Sequence, residues 1–258
     1  MKILFIGDIF GSIGREMIEN QLYQLKKQHQ IDFIIANGEN AAHGKGITHR
    51  IYDELIREGI DVITMGNHTY AKKELFDFID EADRLVVPYN QLPTLPGVGS
   101  RVFTCKNKKI RVTNLLGVSF MNGGNYNPFL KMDVLFKKEE KTDLHIIDFH
   151  AETTSEKIAL GYYLTGKVSA VLGTHTHVPT ADERILEGKT AYISDVGMTG
   201  PLDGVIGCSK ESILYKMTTG LNAKFEVATG KGQLNAVVLE FDDQTNQPLK
   251  IERIRIEV

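Results

Sequence analysis

KILFIGDIFGSIGREMIENQLYQL, residues 2–25, places a short, mostly apolar run directly before an amphipathic helical segment. We predict a buried strand over Lys2–Ile6, because this apolar run lacks the alternating polar residues of a strand with one solvent-exposed face. We predict a helix near Arg15–Gln28 from its amphipathic pattern. The same order of apolar run and helical stretch recurs from Asp32–Ala36 and from Asp61–Met65. Strands that are apolar on both faces and are separated by helices indicate a parallel α/β sheet.

The second half of the chain repeats this alternation after a hairpin. The predicted strands of this part are Val102–Thr104, Ile110–Leu115, His145–Phe149, Ser169–Leu172, Thr190–Ile193, Asn235–Phe241 and Ile251–Ile256. The first two flank a polar turn and the last two form a closing hairpin, so both pairs read as antiparallel. Two strand–helix portions with added hairpins predict an α/β fold of two sheets packed face to face, with helices outside. We find no repeat and no linker, and therefore predict a single domain over residues 1–258.

Composition is that of an ordinary globular protein, with 42% hydrophobic residues, 24% charged residues and a net charge of −3 over 258 residues. This mildly negative net charge does not indicate non-specific binding to DNA or to a membrane surface. The N-terminus lacks the length and flanks of a signal peptide, and no stretch reaches the length of a membrane span. Cys105 and Cys208 lie far apart and read as reduced thiols, which predicts a cytoplasmic protein. The sequence leaves the oligomeric state open, a homo-oligomer included.

Metal-capable side chains fall just past the predicted strands. They are Asp8 after the first strand, Glu39 and Asn40 after the second, Asn67 and His68 after the third, His150 at the end of His145–Phe149, and His175 and His177 after Ser169–Leu172. In open α/β sheets the carboxyl ends of the strands converge on the ligand-binding crevice. We therefore expect these side chains to meet at one rim.

Each cluster also has a structural interpretation. Asp8 can cap a helix, GEN at 38–40 and GNH at 66–68 can form turns, and His150 can be a core histidine. Independent turns are not expected to place so many ligands at one edge, and GTHTH at 173–177 offers two imidazoles two residues apart. Carboxylate, amide and imidazole ligands without thiolate suit Fe, Mn or Zn in a catalytic site. One metal cannot use this many side chains, so we predict two ions.

The ordered motifs resemble a known family. D-x-F at Asp8–Phe10, GEN, GNH, His150, GTHTH and SDVGMTGP at Ser194–Pro201 are similar to those of the calcineurin-like metallophosphoesterases, and more closely to the bacterial YmdB-type dinuclear phosphodiesterases. The likeness runs over nearly the whole chain. It implies a four-layer α-β-β-α sandwich of two mixed sheets, and hydrolysis of phosphodiesters by a two-metal mechanism.

The resemblance also implies a role for each rim residue. Asp8 and His177 would hold the first metal, Asn67, His150 and His175 the second, and Glu39 would bridge the two. His68 would be the general acid rather than a ligand. The wider superfamily has D-x-H as its first motif, whereas this chain has Phe10 where that histidine would stand. We infer that Asn40 supplies an oxygen in its place.

The resemblance points to 2′,3′-cyclic nucleotides, or phosphodiesters at RNA ends, as substrates. NGGNYNPF at 122–129 offers Tyr126 and Phe129 for stacking on a base, and an ordinary solvated loop is the alternative interpretation. HGKGIT at 43–48 is either a phosphate contact or a turn before a helix. Three other functions stay open at this stage: a metal-dependent hydrolase of another bond, a regulatory metal-binding protein with little turnover, and a nucleotide-binding module.

Overall fold

The computed structural model describes residues 1–121 and 123–258 and contains two β-sheets and six α-helices within them. The strands are β1 Lys2–Ile6, β2 Asp8–Ile9, β3 Phe33–Asn37, β4 Val62–Thr64, β5 Leu85–Val86, β6 Ser100–Cys105, β7 Lys108–Leu116, β8 Leu144–His150, β9 Ala170–Thr174, β10 Arg184–Leu186, β11 Thr190–Ile193, β12 Met198–Pro201, β13 Gly232–Phe241 and β14 Pro248–Glu257. The helices are α1 Gly11–His29, α2 His49–Arg57, α3 Leu75–Phe78, α4 Pro128–Lys138, α5 Thr154–Leu164 and α6 Lys210–Thr219, and a 3₁₀ turn spans Thr69–Ala71.

The first sheet combines a parallel half with an antiparallel half. β1, β3, β4 and β5 lie side by side and run parallel, as their separating helices predict. On the other side of β1 lies β13, antiparallel to it and paired with β14 in the closing hairpin. β12 extends this side and pairs in parallel with the two-residue strand β2 that carries Asp8.

The second sheet has the order β10-β11-β9-β8-β7-β6. Its centre is parallel, with β7, β8, β9 and β11 all running the same way. β6 and β10 are the antiparallel edge strands. Both sheets are therefore mixed.

Strand alternation divides the core into layers. In β1, Ile3 and Phe5 belong to the cluster between the two sheets, whereas Leu4 and Ile6 pack toward α1 and α2. Successive side chains of a strand point to opposite faces, so a strand covered on both sides must be apolar throughout. A third cluster lies between the second sheet and helices α4 and α5. These layers are the predicted four-layer α-β-β-α sandwich, and that prediction is confirmed.

Residues 123–127 contain no helix or strand, but Pro128 and Phe129 belong to a helix and not to the loop expected over 122–129. Asn122 lies outside the described residues, but Pro128 begins α4 and Asn127 caps it by accepting from the backbone N–H groups of Phe129 and Leu130 at 2.9 and 3.2 Å. Asn before Pro is a helix start signal, since proline lacks the N–H that the first turn leaves unpaired. The sequence pattern predicts a third helix over Lys73–Glu81, and the structure limits it to Leu75–Phe78.

Because β1, β3 and β4 of one sheet and β8 and β9 of the other end at the same side of the sandwich, the loops that follow them meet there. Among the helices of the described residues, none has the length and apolar character needed to span a bilayer.

Candidate metal centre

All eight predicted site residues lie at this common edge, and the centre of the group is tightly packed. Glu39, His150 and His175 each turn one ligand atom toward the others, and these atoms all lie within 4.8 Å of one another. Glu39 comes from the loop after β3, whereas His150 is the last residue of β8 and His175 follows β9. Residues from both sheets therefore share one polar pocket.

Asp8 supplies a second buried carboxylate beside this group. Its Oδ2 accepts from the backbone N–H of His175 at 3.2 Å, and its Oδ1 has no hydrogen-bond partner among residues 1–121 and 123–258. That Oδ1 lies 3.8 Å from His150 Nδ1 and 3.8 Å from His177 Nε2. A buried carboxylate oxygen without a partner is costly unless a cation binds it. The carboxylate and imidazole groups gathered here, together with this unpaired oxygen of Asp8, are suitable ligands for divalent metal ions.

The GNH turn brings its backbone against the pocket. A Cβ at Gly66 would meet Glu39 Oε2 and His150 Nε2, so only glycine allows this close approach. The next residue, Asn67, places its Oδ1 2.9 Å from His150 Nε2. The turn therefore presents an amide oxygen to the imidazole nitrogen that faces the cluster.

His68 stands at the mouth of the pocket. Its backbone N–H donates to Glu39 Oε2 at 2.9 Å, and its Nδ1 lies 2.8 Å from Asn40 Oδ1 and 3.2 Å from Glu39 Oε1. The side chain is partly exposed, unlike that of His150. This arrangement leaves Nε2 free for a substrate.

Asn40 links the two parts of the site in an orientation that sequence reasoning did not foresee. Its Nδ2 donates to Glu39 Oε1 at 2.8 Å and lies 3.2 Å from His177 Nε2, while its Oδ1 faces His68. Rotation of the amide by 180° exchanges the two atoms. As placed here, Asn40 orients His68 and does not turn its oxygen toward His177.

The GTHTH loop is held in an unusual backbone conformation. His175 has φ +100° and His177 has φ +67°, a region that side chains with a Cβ rarely adopt. Gly173 packs directly on the carbonyl of Ser194, where any Cβ would clash. Such strain persists only where surrounding contacts impose it.

Asp195 supplies those contacts. Its Oδ2 accepts from the N–H and Oγ1 of Thr176 at 3.1 and 2.7 Å, and its Oδ1 accepts from the N–H of Gly197 at 2.8 Å. Lys157 neutralises it at 2.7 Å, with both side chains buried. The SDVGMTGP motif contains Asp195 but gives no sign of this role, and no sequence pattern marks Lys157 in α5.

Outer contacts orient two of the imidazoles. His150 Nδ1 lies 2.9 Å from Thr174 Oγ1, which donates to Asp148 Oδ1 at 2.7 Å. Since the hydroxyl proton of Thr174 goes to Asp148, the threonine oxygen accepts from Nδ1, and Nε2 is the nitrogen that faces the cluster. His177 Nδ1 donates to the carbonyl of Ile206 at 2.9 Å and likewise frees its Nε2.

Phe10 fills the place where the wider superfamily has a histidine. Its ring meets the imidazole of His177 edge to face, with centroids 5.5 Å apart. The ring also packs on Gly44 and Gly207, where a Cβ would clash with it. Phe10 therefore supports His177 by packing.

The buried charges of the pocket shift one another's pKa values. Burial raises the pKa of Asp8, and His177 and His150 only partly offset it. Burial opposes ionisation of Glu39 as well, but His150 and His68 hold its pKa well below the usual range. Burial opposes protonation of His150, but Glu39 and Asp8 raise its pKa to about 9. Without a metal, the pocket thus balances Glu39 with a proton on His150, and cation binding must displace that proton.

The predicted base-stacking residues have different surroundings. Phe129 packs against Tyr163 with ring centroids 5.3 Å apart and is part of the outer core. Tyr126 is partly exposed, and Lys131 Nζ lies 4.4 Å from its ring centroid. Phe120, which the sequence did not single out, is 91% exposed and follows a turn that Glu156 holds through the N–H groups of Val118 and Ser119.

Comparisons with known proteins found matches over nearly the whole chain. The family model described as "YmdB-like protein" matches residues 4–254. The chain is 52% identical over 257 residues to the 2′,3′-cyclic-nucleotide 2′-phosphodiesterase of Bacillus subtilis strain 168, covering 99% of this chain and 97% of that relative.

Solved structures extend the likeness to the fold. A crystal structure described as a novel phosphatase from Mycoplasma pneumoniae superposes with a TM-score of 0.94 at 43% identity, covering 100% of this chain and 93% of that one. The calcineurin-like phosphoesterase YfkN from Bacillus subtilis superposes with a TM-score of 0.58 at 11% identity, covering 99% and 90%. The second likeness shows the fold alone.

Proposed function

We propose that this chain, which belongs to the YmdB-like protein family, is a metal-dependent phosphodiesterase that opens 2′,3′-cyclic nucleotides. Family membership confirms the prediction of a phosphodiester hydrolase made from the motifs. The observation that carries the proposal is the convergence of Glu39, His150 and His175 beside the unpaired oxygen of Asp8.

The pocket residues divide into two groups that would hold two cations. We assign Asp8 and His177 to the first metal, Asn67, His150 and His175 to the second, and Glu39 to both; Asn40 joins the first if its amide rotates. The absence of thiolate favours Fe or Mn, with Zn also accepted. When bound, such ions neutralise phosphoryl charge and acidify a water molecule.

His68 supplies the proton that the leaving oxygen needs. Its Nδ1 is held by Asn40 and Glu39, so the ring is fixed with Nε2 facing outward. Since Nδ1 lies against Asn40 Oδ1, Nε2 is the nitrogen that would deliver a proton to the leaving oxygen. Water adds to phosphorus and loses a proton to solvent, the P–O2′ bond breaks, and O2′ takes the proton from His68, which regains one from solvent. One water is consumed and a 3′-phosphomonoester remains.

The rim supports a nucleotide substrate. The backbone N–H of Gly117 donates to the carbonyl of His150 at 3.0 Å, and Phe120 follows three residues later. Three residues of extended chain span at most about 11 Å, so the backbone of Phe120 lies within that distance of Gly117. We assign Phe120 and Tyr126, rather than Phe129, to contact with the base. The unpaired thiols of Cys105 and Cys208 support a reducing compartment, the cytoplasm.

Product analysis tests this function. The purified chain is incubated with 2′,3′-cyclic AMP, with 3′,5′-cyclic AMP in parallel as the control, after Mn²⁺ or Fe²⁺ is restored. We expect conversion of the 2′,3′-cyclic compound to 3′-AMP. Failure to open 2′,3′-cyclic AMP with either metal restored contradicts the proposal and favours the regulatory metal-binding alternative.

A further inference from the structure

His175 uses its two ring nitrogens in opposite directions. Nδ1 lies 3.0 Å from His150 Nε2 and so faces the cluster, whereas Nε2 lies 3.0 Å from Glu152 Oε2. Glu152 follows β8 and stands two residues beyond His150. One strand end therefore carries both a residue of the cluster and a carboxylate that contacts the imidazole beside it.

The imidazoles of His150, His175 and His177 differ in the partner of the ring nitrogen that points away from the pocket. His150 and His177 donate to a threonine hydroxyl and a backbone carbonyl, both neutral. Asp8 Oδ1 lies 3.8 Å from His150 Nδ1, so among the described residues only the outward nitrogen of His175 has an ionisable side chain at hydrogen-bond distance. Glu152 is 49% exposed, whereas Thr174, the partner of His150, is fully buried.

A carboxylate on one imidazole nitrogen has a definite chemical effect. It accepts the N–H proton, which selects the tautomer with hydrogen on Nε2, and it makes the Nδ1 lone pair more basic. His175 has φ +100° and lies in a loop that is held chiefly through the contact of Thr176 with Asp195. That contact does not fix the imidazole of His175, so the ring orientation depends on the partners of its two nitrogens. Glu152 is not itself part of the cluster formed by Glu39, His150 and His175.

We propose that Glu152 is a positioning residue that fixes the tautomer and orientation of His175 for metal binding. The inference rests on the proposed function in that the cluster must bind a metal. Glu152 acts through His175 and makes no contact with the reacting atoms. The competing interpretation is a solvated carboxylate at the rim, paired with His175 only incidentally.

Metal binding to the stripped full-length chain separates these interpretations. Mn²⁺ affinity is measured by isothermal titration calorimetry for the wild type, Glu152→Ala and Glu152→Gln. Glu139→Ala is the matched control, since Glu139 is also 49% exposed and pairs with Arg111 away from the pocket. We expect Glu152→Ala to bind one of two ions roughly 10- to 100-fold more weakly. Glu152→Gln should lose less, because its amide oxygen still accepts the proton.

A spectroscopic measurement provides a second readout. In the Zn²⁺-loaded wild type, ¹H–¹⁵N spectra of the imidazoles should show His175 protonated on Nε2, and Glu152→Ala should shift or broaden that signal. Glu152→Ala affinity within twofold of both the wild type and Glu139→Ala, with an unchanged spectrum, overturns the inference while leaving the proposed function intact. Absence of Mn²⁺ binding by the wild type contradicts both.

Discussion

The ammonium group of Lys157 lies 2.7 Å from the carboxylate of Asp195, and both side chains are buried between α5 and the loop that carries His175 and His177. Asp195 in turn accepts both the N–H and the hydroxyl of Thr176, which lies between those two histidines. The ion pair therefore connects the hydrophobic core behind the second sheet with the geometry of the metal centre.

Lys157→Met should destabilise the fold by about 3–5 kcal/mol, because it leaves Asp195 as a buried charge without its partner. Urea unfolding of the metal-free protein measures the loss. Lys189→Met, at an exposed lysine, serves as the control and should change stability little. Adding Asp195→Asn to Lys157→Met should recover part of the loss. If Lys157→Met alone is as stable as Lys189→Met, the ion pair does not stabilise the fold in this way.

His68→Ala should keep both metals and lose about 10²- to 10⁴-fold in turnover, the usual contribution of a general acid. The physical reason is that its side chain bonds to Asn40 and Glu39 but lies outside the cluster of Glu39, His150 and His175. Elemental analysis of the variant is compared with its rate on bis-p-nitrophenyl phosphate. Loss of metal in proportion to loss of activity would make His68 a ligand instead.

Gly66→Ala should empty or distort the centre, since its methyl group would meet Glu39 Oε2 and His150 Nε2. We expect metal content to fall well below that of the wild type and turnover to fall at least tenfold. Gly124→Ala is the matched control, because a Cβ there meets nothing within 4 Å. Equal metal content in the two variants would show that the GNH turn approaches the cluster less closely than the structure indicates.

His145 should make stability depend on pH at a position far from the metal centre. Burial, helped by Arg111, lowers its pKa to about 3, against 6.5 for an ordinary histidine. Between those values the unfolded chain binds a proton that the folded chain does not. The free energy of unfolding therefore falls as pH falls through this window, by up to about 1.4 kcal/mol per pH unit.

Replacing His145 with glutamine isolates this contribution. His145→Gln keeps a hydrogen-bonding group beside Thr113 but does not titrate, so its unfolding free energy should fall less steeply between pH 6.5 and pH 4. Parallel pH profiles for the wild type and His145→Gln would contradict the assignment.

Sequence patterns predicted the parts of the fold that depend on local periodicity. β1 and β11 have the predicted bounds, and most other strands end within two or three residues of them, because a strand covered on both faces must be apolar throughout. The start of α4 was missed, because the asparagine- and glycine-rich residues before it suggested a loop. Asn127 and Pro128 are nevertheless a helix start signal. The two-residue strand β2 has no periodicity of its own and forms only by pairing with β12.

The sequence could predict which residues form the candidate site and which strand each of them follows. Parallel strands bring their carboxyl ends to one edge, which is why Asp8, Glu39 and His150 meet. The orientation of Asn40 and the roles of Asp195 and Glu152 depend on contacts between distant segments, and no spacing in the chain encodes them. Phe120 was missed because an exposed aromatic residue has no sequence signature that separates it from a buried one.

The most direct test of the dinuclear phosphodiesterase is metal content by elemental analysis on protein purified without added metal, paired with turnover of bis-p-nitrophenyl phosphate before and after chelation. The account predicts about two metal ions per chain and turnover that chelation abolishes and Mn²⁺ or Fe²⁺ restores. A centre that binds no metal, or turnover that survives complete removal of metal, would contradict it.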